Sequence, residues 1–479
     1  MKRITAIILL ICMVFSFAAC ADKESTEGTK DVIIEEGKDK AYSTVRKQDY
    51  GGYEINIASL DGDVYLVDWK AEEFNGQVLN DLIYKRNLLI QNDYNVTFKA
   101  EKMTTENQLT SVRNAMMSGA TYDIYGMKRD NLVLAYEGCL YDLSSMSDIN
   151  LEQEWWDQNW LDAMTVQGSV YSLIGDISPN TLLATYSLVF NKNLFDELGL
   201  EHPYELVNSG KWTYEEFNKY TKDYSQDLNE DGKYGTEDQY GLVSWGESVG
   251  YSFFYSCDFS FGRVRDGEIT IGYNEDKMIS IYEKMYDTLI TQNNYIETRG
   301  GSGWEGRMQT MYDIFKGGRA LFCNLSLNHV SQYLSDMEDD FGILTIPKYD
   351  ADQDEYCHYV AHTVPTINVP ANHSNPEMIG NIIEACCAAN YDMVVPDLYE
   401  VVAKLQDVRD EASAENVDRI IRTKVYDTAH WYSIGGYKSC SRDLIFSKSD
   451  NIVSHLASTT KYASQEVKKI NDAYKSIKN

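Results

Sequence analysis

The chain has 479 residues, 43% of them hydrophobic, and sets 74 acidic residues against 43 basic ones for a formal charge of −31. That length and apolar content suffice for two ordinary globular domains, each with its own core. The charge excludes nucleic acid as a partner, because so acidic a surface repels phosphate backbones, and it suits a cation such as calcium.

The opening residues, "MKRITAIILLICMVFSFAA", place Lys2 and Arg3 ahead of an apolar run from Ile7 to Phe17 and two small residues, the layout of an export signal. The run is too short for a dependable transmembrane span, and no later stretch approaches the roughly 18 apolar residues that a span requires. The segment "FAAC" ending at Cys20 resembles the lipobox of bacterial lipoproteins, in which that Cys is acylated and becomes the new N-terminus. Residues 1–20 are therefore expected to be signal peptide and lipobox. Two or more acyl chains would anchor the chain, since each buried methylene contributes about 0.8 kcal/mol. Residues 21–49 are charged and nearly free of aromatics, which predicts a disordered tether.

After the tether, "YEINIAS" alternates as a strand, "VLNDLIYKRNLLIQNDYN" has apolar residues at helical spacing, and "VTFKA" reads as a second strand. Strand, helix, strand in that order predicts an α/β domain on a parallel sheet. "NQLTSVRNAMMSGA" reads as a helix ending near Gly119, and "YDIYGM" as a short buried strand. In an open α/β sheet, residues just past the carboxyl end of a strand line the ligand crevice, here Met127, Lys128, Arg129 and Asp130. Further along, "SVYSLIGDISPNTLLATYSLVFNKNLFDELGL" reads as strand, loop, strand and a helix from about Asn193. In "KWTYEEF", Thr213 stands three residues ahead of Glu216, a capping box that starts an amphipathic helix.

That helix runs into "DLNEDGKYGTEDQYGL", which begins at Asp227. Asp227, Asn229 and Asp231 stand at positions 1, 3 and 5 of a twelve-residue calcium loop, Gly232 at the turn, Lys233 offers its carbonyl at position 7, and Asp238 closes it. A hard cation takes six to eight oxygens, and alternate side chains of a tight turn converge on one point. The usual closing residue is Glu, so Asp238 departs from the helix-loop-helix pattern. One such loop, without a second to pair with, predicts a structural staple rather than a sensor.

"MISIYEKMYDTLIT" and "MQTMYDIFKGGRALF" read as helices, the second breaking at Gly317 and Gly318 into the strand "ALFCNL"; "DFGILTIPKYD" and "YVAHTVPTINVP" read as strands. From "NPEMIGNIIEACCAAN" to the end the pattern is mostly helical. Beyond Cys12 and Cys20, seven Cys remain, an odd number at spacings that suggest neither disulfides nor a zinc site, and they are expected as buried thiols. His358 and His362 have the spacing of a zinc pair but lie in a strand-like run without the Glu of HExxH, so a structural role is expected. The tail "EVKKINDAYKSIKN" reads as a terminal helix packed on its lobe.

The lipobox, "VLNDLIYKRN", "GCLYDLSSM", "WWDQNW", "YSLVFNKNLFDELGL", "KWTYEEF", "FKGGRALF", "DFGILTIPKYD" and "NVDRIIRTKVYD" follow one another in an order that resembles family 1 extracellular solute-binding proteins of bacterial ABC importers, most of all their large carbohydrate-binding lipoproteins from gut Firmicutes. The resemblance covers the chain from about Tyr50 onward. It implies a two-lobed α/β, periplasmic-binding-protein-like (type II) fold with a hinge and an interlobe ligand cleft. Lobe 1 would hold residues 50–184 plus 320–363, and lobe 2 residues 185–319 plus 365–479. Many sugar-binding members carry a similar Asp-ended calcium loop.

Sugars stack their C–H faces on Trp or Tyr and present hydroxyls to planar polar groups. The implied lobe layout sends Asp130, Asp176, Asn324 and Asn328 to the crevice from the first lobe, and Trp245, Trp304, Trp431 and Tyr432 from the second. Trp155 and Trp156 are an alternative pair, equally suited to packing. The function implied is a monomeric, non-enzymatic receptor, lipid-anchored on the outer face of the cytoplasmic membrane of a Gram-positive bacterium, that delivers a carbohydrate to an ABC permease. The rival reading is a secreted glycan-processing enzyme, which needs two carboxylates at a set separation and for which no hydrolase motif is present; a peptide or other solute is a further alternative.

Overall fold

The computed structural model describes residues 40–294, 303–398 and 411–478. The export signal, Cys20 and the tether before Lys40 lie outside the described residues, but residues 40–49, expected as tether, are folded: helix Ala41–Thr44 is docked by Ala41 N and Tyr42 N donating to Asp392 at 3.1 and 2.9 Å, with Tyr42 buried. Among those described, no helix is long and apolar enough to cross a membrane.

The first sheet grows from the strand, helix, strand pattern. Strand Tyr53–Leu60 pairs in parallel with Val96–Met103 along its whole length, Tyr53 opposite Val96 and Leu60 opposite Met103, and on its other side with Ile124–Met127. Parallel neighbours need a crossover, and helices Val78–Tyr94 and Thr105–Ser118 supply it. The first ends at Asn95, whose φ of 49° takes the left-handed turn that lets the next strand start; the second starts at Thr104, whose hydroxyl accepts from Asn107 N at 3.3 Å. Ile55, Ile57 and Ile124 are fully buried beneath these helices.

The second sheet has the order Tyr240–Ser244, Ala320–Ser326, Tyr186–Asn191, Phe341–Leu344. Only the first pair is parallel. One of its faces buries Phe190 and Phe322 among Phe195, Trp212 and Phe217, with Phe217 and Phe322 ring centres 5.0 Å apart. The other face buries Val189, Val243 and Cys323 with Tyr312 and Phe315 of helix Gly303–Lys316.

This pairing corrects the expected lobe boundaries. Strands Ala320–Ser326 and Phe341–Leu344 sit in the second sheet rather than with residues 50–184. Conversely, Thr366–Asn368 returns to the first sheet, antiparallel to Ile124–Met127, and helix Pro376–Met393 packs on helix Val78–Tyr94. The physical reason is that a strand's partner is chosen by non-local packing, and the alternation that reveals a strand does not name its neighbour. Helices Glu411–Arg422 and Cys440–Ser447 do belong to the second lobe, the former through Ser413 Oγ accepting from Ile343 N at 3.0 Å. "SVYSLIG" is also no strand. Ser169, Leu173 and Gly175 each make a single bridge to a different segment, namely Val166, Ile367 and Trp156.

The chain passes between lobes at Ala184–Tyr186 and again near Val360. These passages are tied to each other by the Thr185 to Val360 bridge and by Ala361 N donating to Ala184 O at 3.1 Å. His358–Tyr359 pairs in turn with Lys424–Val425. Two α/β lobes joined at such a hinge, with their strand ends facing, form the type II periplasmic-binding-protein-like fold.

A candidate ligand cleft and a candidate metal loop

The carboxyl ends of the three parallel strands of the first sheet form one wall. Asp61 follows the first strand, Thr104, Thr105 and Glu106 follow the second, and Lys128 follows the third. With Tyr65, and with Thr363 from the crossing segment, they surround a cavity of about 330 Å³. Carboxylates that only accept, an ammonium that only donates and hydroxyls that do both suit a polyhydroxylated solute. Asp130 lies exposed at this same end, its Oδ1 3.6 Å from Arg129 Nε.

The second wall is built by register. Tyr240–Ser244 and Ala320–Ser326 run in parallel, so Trp245 and the turn at Leu327, Asn328 and His329 emerge at one end of the sheet. Trp245 is half-buried on the same core patch as Tyr333, and Ser326 Oγ donates to Asn328 Oδ1 at 2.6 Å. Helix Leu327–Tyr333 packs against Pro179–Leu183 of the first lobe, which places this turn at the boundary between lobes. Trp304 starts the helix Gly303–Lys316, and its side chain lies outside the described residues.

A largely buried group joins Arg129 and His362, both named from the sequence, to His430 and Tyr359, which were not. Arg129 Nη1 donates to His430 Nε2 at 2.9 Å, and the Tyr359 hydroxyl lies 2.6 Å from His362 Nδ1. Burial first, then the Arg129 charge, holds both imidazoles well below the usual histidine range, so both are neutral acceptors. Tyr251 and Tyr255 meet the His430 ring edge to face, at 4.9 and 5.7 Å. The signal available in sequence was slight: His430 adjoins Trp431, and His362 lies in the run that leaves one lobe for the other.

Four expected cleft residues are engaged elsewhere. Asn324 lies inside the second sheet, accepting from Ser244 and Ser252 at 3.1 and 2.9 Å and donating to Ser187 O at 3.0 Å. Its hydrogen-bonding capacity is largely spent on the lobe itself. Asp176 is buried beside Trp155, and desolvation pushes its carboxyl up to about 7 against the pull of Lys424. It missed the cleft because the strand expected before it does not form. Trp431 is 1% exposed and stands edge to face with Trp160 at 4.8 Å; the Tyr432 hydroxyl shares a 2.7 Å hydrogen bond with Tyr474. Trp155 and Trp156 are buried, Trp156 donating to Glu384 at 3.0 Å. His358 is structural, with Nδ1 2.7 Å from Thr423 Oγ1 and Nε2 accepting from Ile346 N at 3.3 Å.

The loop from Asp227 folds by turns its own side chains hold. Asp227 Oδ2 accepts from Gly232 N at 2.8 Å, Asn229 Oδ1 from Asp231 N at 3.0 Å, and Asp231 Oδ1 from Lys233 N at 2.8 Å. Asp238 accepts from Leu228 N and Gly235 N at 2.9 and 2.6 Å. Gly232 has φ of 77°, which needs glycine at the turn. Asp227 Oδ1 is buried without a hydrogen-bond partner, a donor atom of the kind a cation would engage. No three His, Cys, Asp or Glu side chains among the described residues stand together as a metal cage; a site here would need Asn229 and the Lys233 carbonyl as well.

No protein-family model matches this chain, and no curated protein does. Solved structures share its fold. A cyclo/maltodextrin-binding protein complexed with maltotetraose aligns with a TM-score of 0.55 at 14% identity, covering 89% of this chain and 96% of that one. An ABC substrate-binding protein from Listeria monocytogenes in complex with cycloalternan aligns at 0.54 and 13%, covering 88% and 99%. The apo-form of RafE from Streptococcus pneumoniae aligns at 0.51 and 12%, covering 89% and 98%. At such identities the likeness is one of fold.

Proposed function

We propose that this protein is an extracellular receptor that captures a carbohydrate between its lobes and hands it to an ABC importer. The observation that supports this reading most directly is the cavity at the strand ends of the first sheet, where Asp61, Tyr65, Glu106 and Lys128 meet Thr363 of the segment that crosses between lobes. Structural neighbours of the same fold hold maltotetraose and cycloalternan, which supports the carbohydrate class. The reading is one of capture and release without chemistry, so it assigns no catalytic residue.

In this reading Cys20 carries the lipid that keeps the protein on the outer face of the cytoplasmic membrane, the segment ahead of Lys40 gives it reach, and the receptor works as a monomer beside its permease. The loop of Asp227, Asn229, Asp231, Lys233 and Asp238 binds calcium and fixes the excursion between helix Tyr214–Thr221 and strand Tyr240–Ser244.

The test is a thermal-shift screen of the chain from Ala21 onward against neutral oligosaccharides and peptides. A ligand that binds only the folded state raises the melting temperature by mass action. A rise with a saccharide recovered intact supports the receptor. A saccharide cleaved during incubation, or a rise with peptides alone, overturns the reading.

A further inference from the structure

We infer that His329 presents an Nε2–H donor to a ligand hydroxyl from the second lobe's wall of the cleft. The inference rests on the receptor reading above and adds to it a residue that the sequence does not mark.

Three observations converge on this side chain. By position, His329 lies in the first turn after strand Ala320–Ser326, at the boundary with helix Pro179–Leu183 of the other lobe. By packing, its ring meets Tyr333 edge to face at 5.4 Å, and Tyr333 is itself stacked on Tyr312 at 4.3 Å. The imidazole is therefore fixed in orientation, with Trp245 on the same core patch. By hydrogen bonding, Nδ1 is buried with no partner among the described residues, while the residue as a whole is only half-buried.

The buried nitrogen decides the tautomer. Either nitrogen costs free energy when buried unpaired, but an orphaned N–H is the rarer case in folded proteins, and Nε2–H is also the neutral form that imidazole prefers in water. The proton accordingly sits on Nε2, at the accessible edge of the ring. Burial also holds the imidazole at about 4, so it is neutral at working pH. A neutral N–H suits a sugar hydroxyl, which accepts it without charge desolvation, and it complements a first wall dominated by the acceptors Asp61 and Glu106.

Imidazole carbon and nitrogen shifts of the free wild-type protein report the tautomer directly. The Nε2–H form is expected, and an Nδ1–H form overturns the inference whatever the ligand. Binding is then measured with the saccharide of largest melting shift, maltotetraose being the first probe. His329→Phe keeps the ring packing and removes the donor, so it is expected to weaken binding about tenfold, as befits one neutral hydrogen bond, with little change in melting temperature. His329→Gln, which restores an amide donor, is expected to recover most of the loss. Wild-type affinity in His329→Phe overturns this residue's role while the receptor stands. A wild type that responds to no saccharide overturns the receptor reading, and this inference with it.

Discussion

Glu384 is a carboxyl group that is 3% exposed and accepts from Trp156 Nε1. Desolvation pushes it up to about 7, and the Trp156 bond only partly offsets this. Asp68, fully buried with Ser178 and Asn180, is pushed to about 7 as well. An unfolded carboxyl titrates near about 4, so between pH 4 and 7 the native state holds protons that the unfolded chain has lost. The stability these groups contribute is full below pH 4 and is lost as pH rises through 7. Glu384→Gln keeps the acceptor for Trp156 and removes the titration. Its unfolding free energy from urea melts is expected to fall less between pH 4 and 8 than that of the wild type, by on the order of 3 kcal/mol. Parallel pH profiles would show that water reaches this carboxyl in solution. The thiols give a second residue-scale expectation, since Cys139, Cys257, Cys323, Cys357, Cys386, Cys387 and Cys440 are all free and buried. Burial raises the Cys257 thiol to about 12, and iodoacetamide attacks the thiolate. At pH 8 these seven should take up none in the native fold and all should react in denaturant, as read on the chain from Ala21 onward; labelling of the native form would point to a looser core.

Close approach of two helices makes a single methyl group legible at the scale of elements. Helix Gly246–Tyr255 lies on helix Cys440–Ser447 at Gly250, where an added Cβ would meet Arg442 Cα at 2.8 Å. That atom is backbone and has no rotamer to yield, so Gly250→Ala is expected to cost about 1–3 kcal/mol in thermal or urea melts. A neutral result would mean that the helices separate at little cost. The loop at Asp227 is a second element with its own test. If it binds calcium, the ion at about a hundred times its Kd should stabilise the fold by about 2.7 kcal/mol, and Asp231→Ala should abolish that response. The sugar response should survive in the variant if the loop is a staple. Its loss would link the loop to the cleft instead.

Closure is a property of the whole molecule. A ligand that touches Lys128 and Trp245 bridges the lobes and must favour the closed form by its difference in affinity for the two states. Small-angle scattering should show the radius of gyration fall on adding a bound saccharide, with the Thr185 to Val360 bridge as the pivot. Trp245→Ala should weaken binding roughly tenfold while leaving the melting temperature of the free protein nearly unchanged, since Trp245 is only half-buried. Equal affinity in that variant would remove Trp245 from the site.

Local order was readable in the sequence because it is set locally. The alternation in "YEINIAS", the helical spacing after Val78, the capping box at Thr213 and the break at Gly317 each specify a backbone conformation within a few residues. The structure has an element at each of these places. So too with Lys128 and Asp130, which follow a strand whose end is visible in the sequence. Partner choice was not readable. That Ala320–Ser326 joins Tyr186–Asn191, that Thr366–Asn368 returns to the first sheet, and that Trp431 faces Trp160 all depend on shape complementarity between segments far apart in the chain. Composition and pattern thus determined an acidic α/β protein. Only the tertiary structure decided which aromatic side chains are core and which polar ones meet at the hinge, because burial is a property of the assembled surfaces and not of any one segment.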